Sequence, residues 1–158
     1  MYGDGASNQG QLYESVNMAY LHKWPVLFVC ENNKYALGTP VERHSAGGDD
    51  FERRLTWCPG IKFIADDVFE TKEVTKFAKN YAVKNGPIFL NAETYRFHGH
   101  GMTDPGTTYR TREEVAENRK TRDPIVVLKK KILELNVASE KELHRIEKEV
   151  KERMEKAA

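Results

Sequence analysis

Cysteine is scarce in this chain: Cys30 and Cys58 are the only two in 158 residues. Their spacing matches no metal-ligand pattern, and two thiols fall short of the disulfide framework of a small secreted domain. Cys30 sits in an apolar run, where a thiol packs as a small hydrophobe, so a buried thiol is expected there rather than a nucleophile. Long apolar runs are missing too. The longest, Val26-Leu27-Phe28-Val29-Cys30, has five residues, against roughly 20 for a membrane-spanning helix. An excess of one charge is also lacking: the formal net charge is +1, which supplies no basic field for nucleic acid. With 39% hydrophobic and 31% charged residues, the composition fits one globular domain with a real core and a very polar surface, in a reducing compartment.

The stretch from Gly3 to Asn33 organises the rest. It opens Gly3-Asp4-Gly5-Ala6-Ser7-Asn8-Gln9-Gly10 and closes on Glu31-Asn32-Asn33 after the five-residue apolar run. Leu12, Val16, Ala19 and Tyr20 recur at helical intervals and predict a crossover helix over 11–22 with one face on a sheet. Trp24-Pro25 stops it. If the glycine turn follows one parallel strand and Val26–Cys30 is its neighbour, Asp4 and Asn33 share the carboxyl edge of the sheet, where ligands of open α/β sheets bind. Two glycines let the backbone approach a ligand, the following helix N-terminus favours a phosphate, and a carboxylate plus an amide oxygen suit magnesium shared with substrate phosphates. A Gly-Asp-Gly turn by itself is also an ordinary turn. The pairing with Asn32-Asn33 favours the metal-diphosphate cradle.

Farther on, Lys34 to Pro40 reads as a loop and His44 to Cys58 as a connecting surface segment. Gly47-Gly48-Asp49-Asp50 within it lacks the ordered pattern of a calcium loop and is read as solvated. Ile61–Ile64 and Ile88–Thr94 read as strands around a helix over 70–84, with Val74, Phe77, Ala78 and Tyr81 on one face and Asn85-Gly86-Pro87 as its stop. Strand, helix and strand in repetition predict an α/β fold with a parallel sheet flanked by helices. A second chemical stretch, Thr94 to Arg112, concentrates Arg96, His98, His100, Asp104, Arg110 and Arg112 in a glycine-punctuated loop. His98 and His100 lack a third zinc ligand nearby, so phosphate contact or proton transfer is the better role. Asp123-Pro124 starts a helix carrying Ile125, Val127, Leu128, Ile132 and Leu135, and Ser139 to Glu142 fits the capping box of a last helix through Ala157. Its alternating Lys and Glu read as a solvated face.

The wording of these motifs resembles a known family. Gly3-Asp4-Gly5 through Asn32-Asn33 is similar to the thiamine diphosphate fingerprint. The longer run to Arg43, with Tyr95 to His100, Asp104-Pro105-Gly106 and Tyr109 to Glu114, resembles the alpha subunits of the first component of the 2-oxo acid dehydrogenases for pyruvate, branched-chain acids and acetoin, over essentially the whole chain. The resemblance implies a thiamine diphosphate-binding fold lacking its N-terminal part, because only Met1-Tyr2 precede the first turn. It divides the chain into residues 1–122 of the α/β domain and a helical tail over residues 123–158. It implies thiamine diphosphate and magnesium as cofactors. The metal would be held by Asp4, Asn33 and the backbone carbonyl of Tyr35, and the cofactor would be met by Asp4, Gly5, Ala6, Asn33 and His100. His100, the expected catalytic residue, would lie on a loop that covers the site. Gly101 stands where mammalian-like members have the principal phosphorylated serine, so control there is not expected; Thr108 keeps a hydroxyl nearby.

The implied reaction is the oxidative decarboxylation of pyruvate in the mitochondrial matrix, with the acetyl unit passed to lipoyl-lysine. The implied partners are a beta subunit, which supplies the acid for the aminopyrimidine, and a lipoyl-bearing acyltransferase; no nucleic acid or membrane is involved. The pyruvate-type wording leaves branched-chain and acetoin substrates open. A non-catalytic remnant or binding module that keeps the fold and its interfaces is the alternative.

Overall fold

The structure is a computed structural model and describes residues 1–157. Four parallel strands form its sheet in the order β1 (Tyr2–Gly3), β2 (Leu27–Asn32), β6 (Ile88–Glu93) and β5 (Gly60–Ile64). The glycine turn and α1 (Gly10–Leu21) connect β1 to β2, and α3 (Val68–Asn85) connects β5 to β6. The expected α/β class and parallel sheet are therefore present. Alternation along β6 puts Ile88, Leu90 and Ala92 on one face, packed with Phe63 of β5 and Ala78 and Ala82 of α3. Phe89 faces the other way with Cys30, Val41 and Phe51. Two-sided burial is what makes these strands near-continuous apolar runs.

Helix ends follow the local chemistry. Asp67 accepts from the N–H groups of Phe69 at 2.8 Å and Glu70 at 3.2 Å, starting α3. Gly86, with φ 103°, ends it. Thr111 caps α4 (Arg112–Arg122), and Asp123 caps α5 (Pro124–Glu134) with Pro124 in its first turn. Ser139 Oγ accepts from Glu142 N at 3.3 Å before α6 (Glu140–Ala157), as half of a capping box.

Four expectations need correction. Tyr20 was grouped with the buried face of α1, but only Val16 and Ala19 are buried there; Tyr20 is exposed and stacks edge-on with Trp57. Phe77 is likewise exposed on α3, because the small Ala78 and Ala82 make the close approach to the sheet. Lys34 to Pro40 is not a plain loop: β3 (Tyr35–Ala36) and β4 (Thr39–Pro40) form an antiparallel hairpin turned by Leu37 at φ 58°, followed by the short α2 (Val41–His44).

The segment from Ser45 to Cys58 is not merely surface. Ser45, Phe51 and Cys58 are buried, and the segment is tied to the sheet by two asparagines. Asn32 and Asn91 both donate to the Asp49 carbonyl, at 3.3 and 2.7 Å, and Asn91 also donates to Glu52 Oε2 at 2.7 Å. The side chains of Asp49 and Asp50 pair with Lys34 and Lys62, which agrees with the absence of a calcium pattern.

Asn91→Ala should lower the free energy of unfolding by about 1–3 kcal/mol, because it strips donors from acceptors that stay buried. Urea denaturation measures this, and an unchanged midpoint would contradict the role given to Asn91.

Candidate functional site

The register of β1 on β2 fixes the first half of the site. Tyr2 lies opposite Cys30 and Gly3 opposite Glu31, so Asp4 leaves β1 beside the end of β2, where Asn32 and Asn33 follow. Both predicted oxygen donors thus stand at the carboxyl edge of neighbouring parallel strands. Asp4 is only 2% exposed. It opens a 3-10 turn over Gly5–Asn8, which runs directly into α1. Gly5 is required by space: a Cβ there would stand 2.6 Å from Ala36 Cβ, so the turn packs its bare backbone directly on Ala36 of the hairpin.

The electrostatics of Asp4 are those of a cation site. Its Oδ2 is buried without a hydrogen-bond partner, and the nearest donor, His44 Nε2, is 3.5 Å away. A buried carboxylate is costly unless paired or bound to a metal, so this donor set fits a divalent ion. Among the described residues no cluster of three or more His, Cys, Asp or Glu is placed to hold a metal. Asn33 is half-buried, and its Oδ1 accepts from Tyr35 N at 3.2 Å, which orients the amide and leaves a second lone pair. Asn32 is the fully buried neighbour and is structural, receiving Lys34 N at 3.2 Å on its Oδ1.

The Tyr35 carbonyl, expected to face the metal, accepts from Arg96 Nη1 at 3.2 Å. Arg96 also donates to the Leu37 carbonyl at 2.5 Å and to Tyr109 Oη at 2.8 Å. One guanidinium therefore bolts the second chemical stretch to the hairpin that packs on the glycine turn. The Tyr35 and Tyr109 rings, 5.2 Å apart, add to this docking. Arg110, 5% exposed, donates to the backbone carbonyls of Arg96 and His98.

Asp104 folds the loop itself. It accepts from His100 N at 2.7 Å, from the Tyr109 hydroxyl and from Gly106 N at 2.9 Å, and these bonds hold its carboxyl at about 2. Gly99 permits the turn, because a Cβ there would collide with the Asp104 carbonyl. His100 is exposed on this loop, anchored through its backbone. His98, with Phe97, Thr107 and Arg110, lines a cleft of about 240 Å³ beneath it. Gly101 has open space around its missing side chain.

Cys30 plays no chemical part. Burial pushes its thiol up to about 11, with Ser7 Oγ at 3.2 Å, so the thiolate is absent near neutrality. Two contributors escaped the sequence reading. Arg96 was grouped with other loop charges, although an Arg two residues past a strand is suited to binding several carbonyls at once. His44 lies in a segment that reads as surface, and its only signal is a histidine between Glu42-Arg43 and the small residues Ser45 to Gly48.

The chain is similar to known proteins along its whole length. A family model described as "Dehydrogenase E1 component" matches residues 1–158. A "Pyruvate dehydrogenase E1 component subunit alpha, mitochondrial" from Dictyostelium discoideum is 52% identical over 159 residues, which is 100% of this chain and 42% of that protein. A probable pyruvate dehydrogenase E1 alpha subunit from Caenorhabditis elegans is 50% identical over 99% of the chain and 40% of its own length. The somatic human alpha subunit is 47% identical over 100% of the chain and 40% of its own length. The chain spans about two fifths of the length of the curated relatives it matches.

The Asp104 bonds give a pH prediction. Its carboxyl lies below the ordinary 3.8 in the folded loop, so the order it provides is complete above the ordinary value and is lost as pH falls through about 2. The amide NMR signals of His100 and Gly106 should titrate together with that midpoint; a common midpoint near 4 contradicts the bonding scheme.

Proposed function

The chain belongs to the dehydrogenase E1 component family, and on that premise we propose that it serves as an alpha subunit of a thiamine diphosphate-dependent pyruvate dehydrogenase. The buried Asp4 carboxylate at the carboxyl edge of the parallel sheet is the observation that carries this reading. When bound, thiamine diphosphate supplies the electron sink for loss of carbon dioxide from pyruvate and for passing the acetyl unit to lipoyl-lysine.

The chain's own residues bind and orient. Asp4, Asn33 and the Tyr35 carbonyl would hold magnesium, which would help to anchor the diphosphate. The N–H groups of Gly5 and Ala6, at the head of the turn that leads into α1, face the phosphate oxygens. For the Tyr35 carbonyl to serve, its second lone pair faces the ion while Arg96 keeps the first, or Arg96 lets go. His100 rides the loop folded on Asp104 and supplies a hydrogen bond, and a proton where one is needed, at the reacting end. Arg96 keeps that loop on the hairpin and Arg110 holds the loop's own backbone, so the loop can exclude water from the site.

Residues 1–122 form the cofactor-facing unit and the chain from 123 on a helical tail, described through Ala157; residue 158 lies outside the described residues. In the tail, Ile125, Val126, Leu135, Ile146, Val150 and Met154 remain exposed, a surface suited to subunit contacts with a beta subunit and, in the assembled complex, a lipoyl-bearing acyltransferase. The relatives carry mitochondrial names, which favours the matrix.

Calorimetry of the chain with thiamine diphosphate and magnesium, with and without a beta subunit, tests the reading. Binding heat is expected from the wild type and none from Asp4→Ala, whose melting temperature should not fall. Unchanged affinity in Asp4→Ala removes Asp4 from the site. A wild type silent in both settings leaves a binding module that keeps the fold without the cofactor.

A further inference from the structure

His44 is a half-buried side chain that the proposed reaction does not use. Its side chain is 11% exposed, and Nε2 stands 3.5 Å from Asp4 Oδ2. Neither atom has a hydrogen-bond partner, and both are buried. At 3.5 Å the pair is slightly longer than a good hydrogen bond, but no other group satisfies either one. A buried donor and a buried acceptor left facing each other cost free energy that closing the gap by roughly half an ångström recovers.

The other side of the ring decides which nitrogen carries hydrogen. Asn8 Oδ1 accepts from Arg54 Nη1 at 2.8 Å, so the amide oxygen of Asn8 faces the guanidinium. Its Nδ2 therefore faces His44, donating to the His44 carbonyl at 3.0 Å and lying 3.2 Å from His44 Nδ1. The carbonyl contact independently requires nitrogen at that position. A hydrogen on Nδ1 would point into the NH₂ group, so Nδ1 accepts and Nε2 bears the hydrogen of the neutral ring. Arg54 is held in turn by the Ser7 carbonyl and Tyr13 Oη, both at 3.3 Å, and by Ser45 Oγ. Arg54, Asn8 and His44 thus form a directional chain that leaves His44 Nε2 3.5 Å from the Asp4 carboxylate.

We propose that His44 is a positioning residue for Asp4: locked by Asn8 as the Nε2–H tautomer, it donates to Oδ2 and leaves Oδ1 as the oxygen presented to a divalent ion. The proposal rests on the reading of Asp4 as a metal ligand. Groups that hold a ligating carboxylate typically change metal affinity by about 10–100-fold when removed. His44 is thereby an adjunct to a site whose ligands lie nine or more residues away in sequence from it.

Two measurements on the whole chain separate the parts. In ¹⁵N-histidine NMR of the metal-free protein, one of the five histidines, assigned by its loss in His44→Gln, should have the Nε2–H tautomer. Its Nε2 shift should move in Asp4→Asn, and its tautomer preference should relax in Asn8→Ala. An Nδ1–H tautomer, or a shift indifferent to Asp4→Asn, overturns the proposal.

In the second, manganese affinity is measured by electron paramagnetic resonance with thiamine diphosphate present. His44→Leu should weaken it by about tenfold or more, whereas His44→Gln, whose amide N–H replaces the ring donor, should restore most of the loss. A Leu variant that binds as wild type, or a Gln variant as weak as Leu, overturns the positioning role. Wild type that binds no manganese, while the histidine signals behave as described, overturns Asp4 as a ligand and leaves the His44–Asp4 hydrogen bond supported.

Discussion

The ladder between β1 and β2 is the constraint from which the site follows. Only two residues of β1 are paired, yet their register opposite Cys30 and Glu31 fixes where Asp4 leaves the sheet relative to Asn33. Parallel strands joined by a crossover helix have their carboxyl ends at one edge, so the chain's two candidate oxygens are neighbours although 29 positions of sequence separate them. Slipping this register by one residue would turn Asp4 to the opposite face. β2 is in turn held by its full-length pairing with the buried β6, and Asn32 and Asn91 tie both strands to the Asp49 carbonyl.

The second constraint is the hairpin between the two chemical stretches. Gly5 packs against Ala36 on one side of it, while Arg96 binds its Tyr35 and Leu37 carbonyls and Tyr109, which accepts from Arg96, sets its ring beside that of Tyr35. A loop folded by Asp104 and Arg110 is thereby coupled to the turn that carries Asp4. Contact with a ligand at the turn and ordering of the loop share this one element, so each favours the other to the extent that both need the hairpin in place. The Arg96 guanidinium on the Tyr35 carbonyl is where that coupling is most direct.

Much of this was legible in the sequence because it rests on local chemistry. Pro124 after Asp123, Asn85-Gly86-Pro87 and the five-residue apolar run announce their elements within a turn or two of chain. Asp4 and Asn33 were legible because glycine punctuation and an apolar strand imply the sheet edge. Tyr20 and Phe77 were misplaced since helical periodicity marks a face but not its width: Val16, Ala19, Ala78 and Ala82 are buried, Leu12, Val74 and Tyr81 pack at the margin of the core, and Tyr20 and Phe77 fall outside it. The β3–β4 hairpin escaped notice because two-residue strands bear no period and Leu37, not glycine, takes the positive φ. The burial of Ser45 to Cys58 and the place of His44 depend on long-range bonds to Asn91, Asn8 and Arg54, which no window of neighbouring residues contains.

The central claim is that the oxygens of Asp4, Asn33 and Tyr35 surround one divalent ion beside the glycine turn. Paramagnetic broadening by manganese, added with thiamine diphosphate to the ¹⁵N-labelled chain, measures that arrangement directly because it reports distance from the ion. The account predicts that the Gly5, Ala6 and Tyr35 amides and the Asn33 side-chain amide broaden first and together. Broadening centred on Asp49 and Asp50 or on α6, with the glycine turn and Asn33 left sharp, would contradict it.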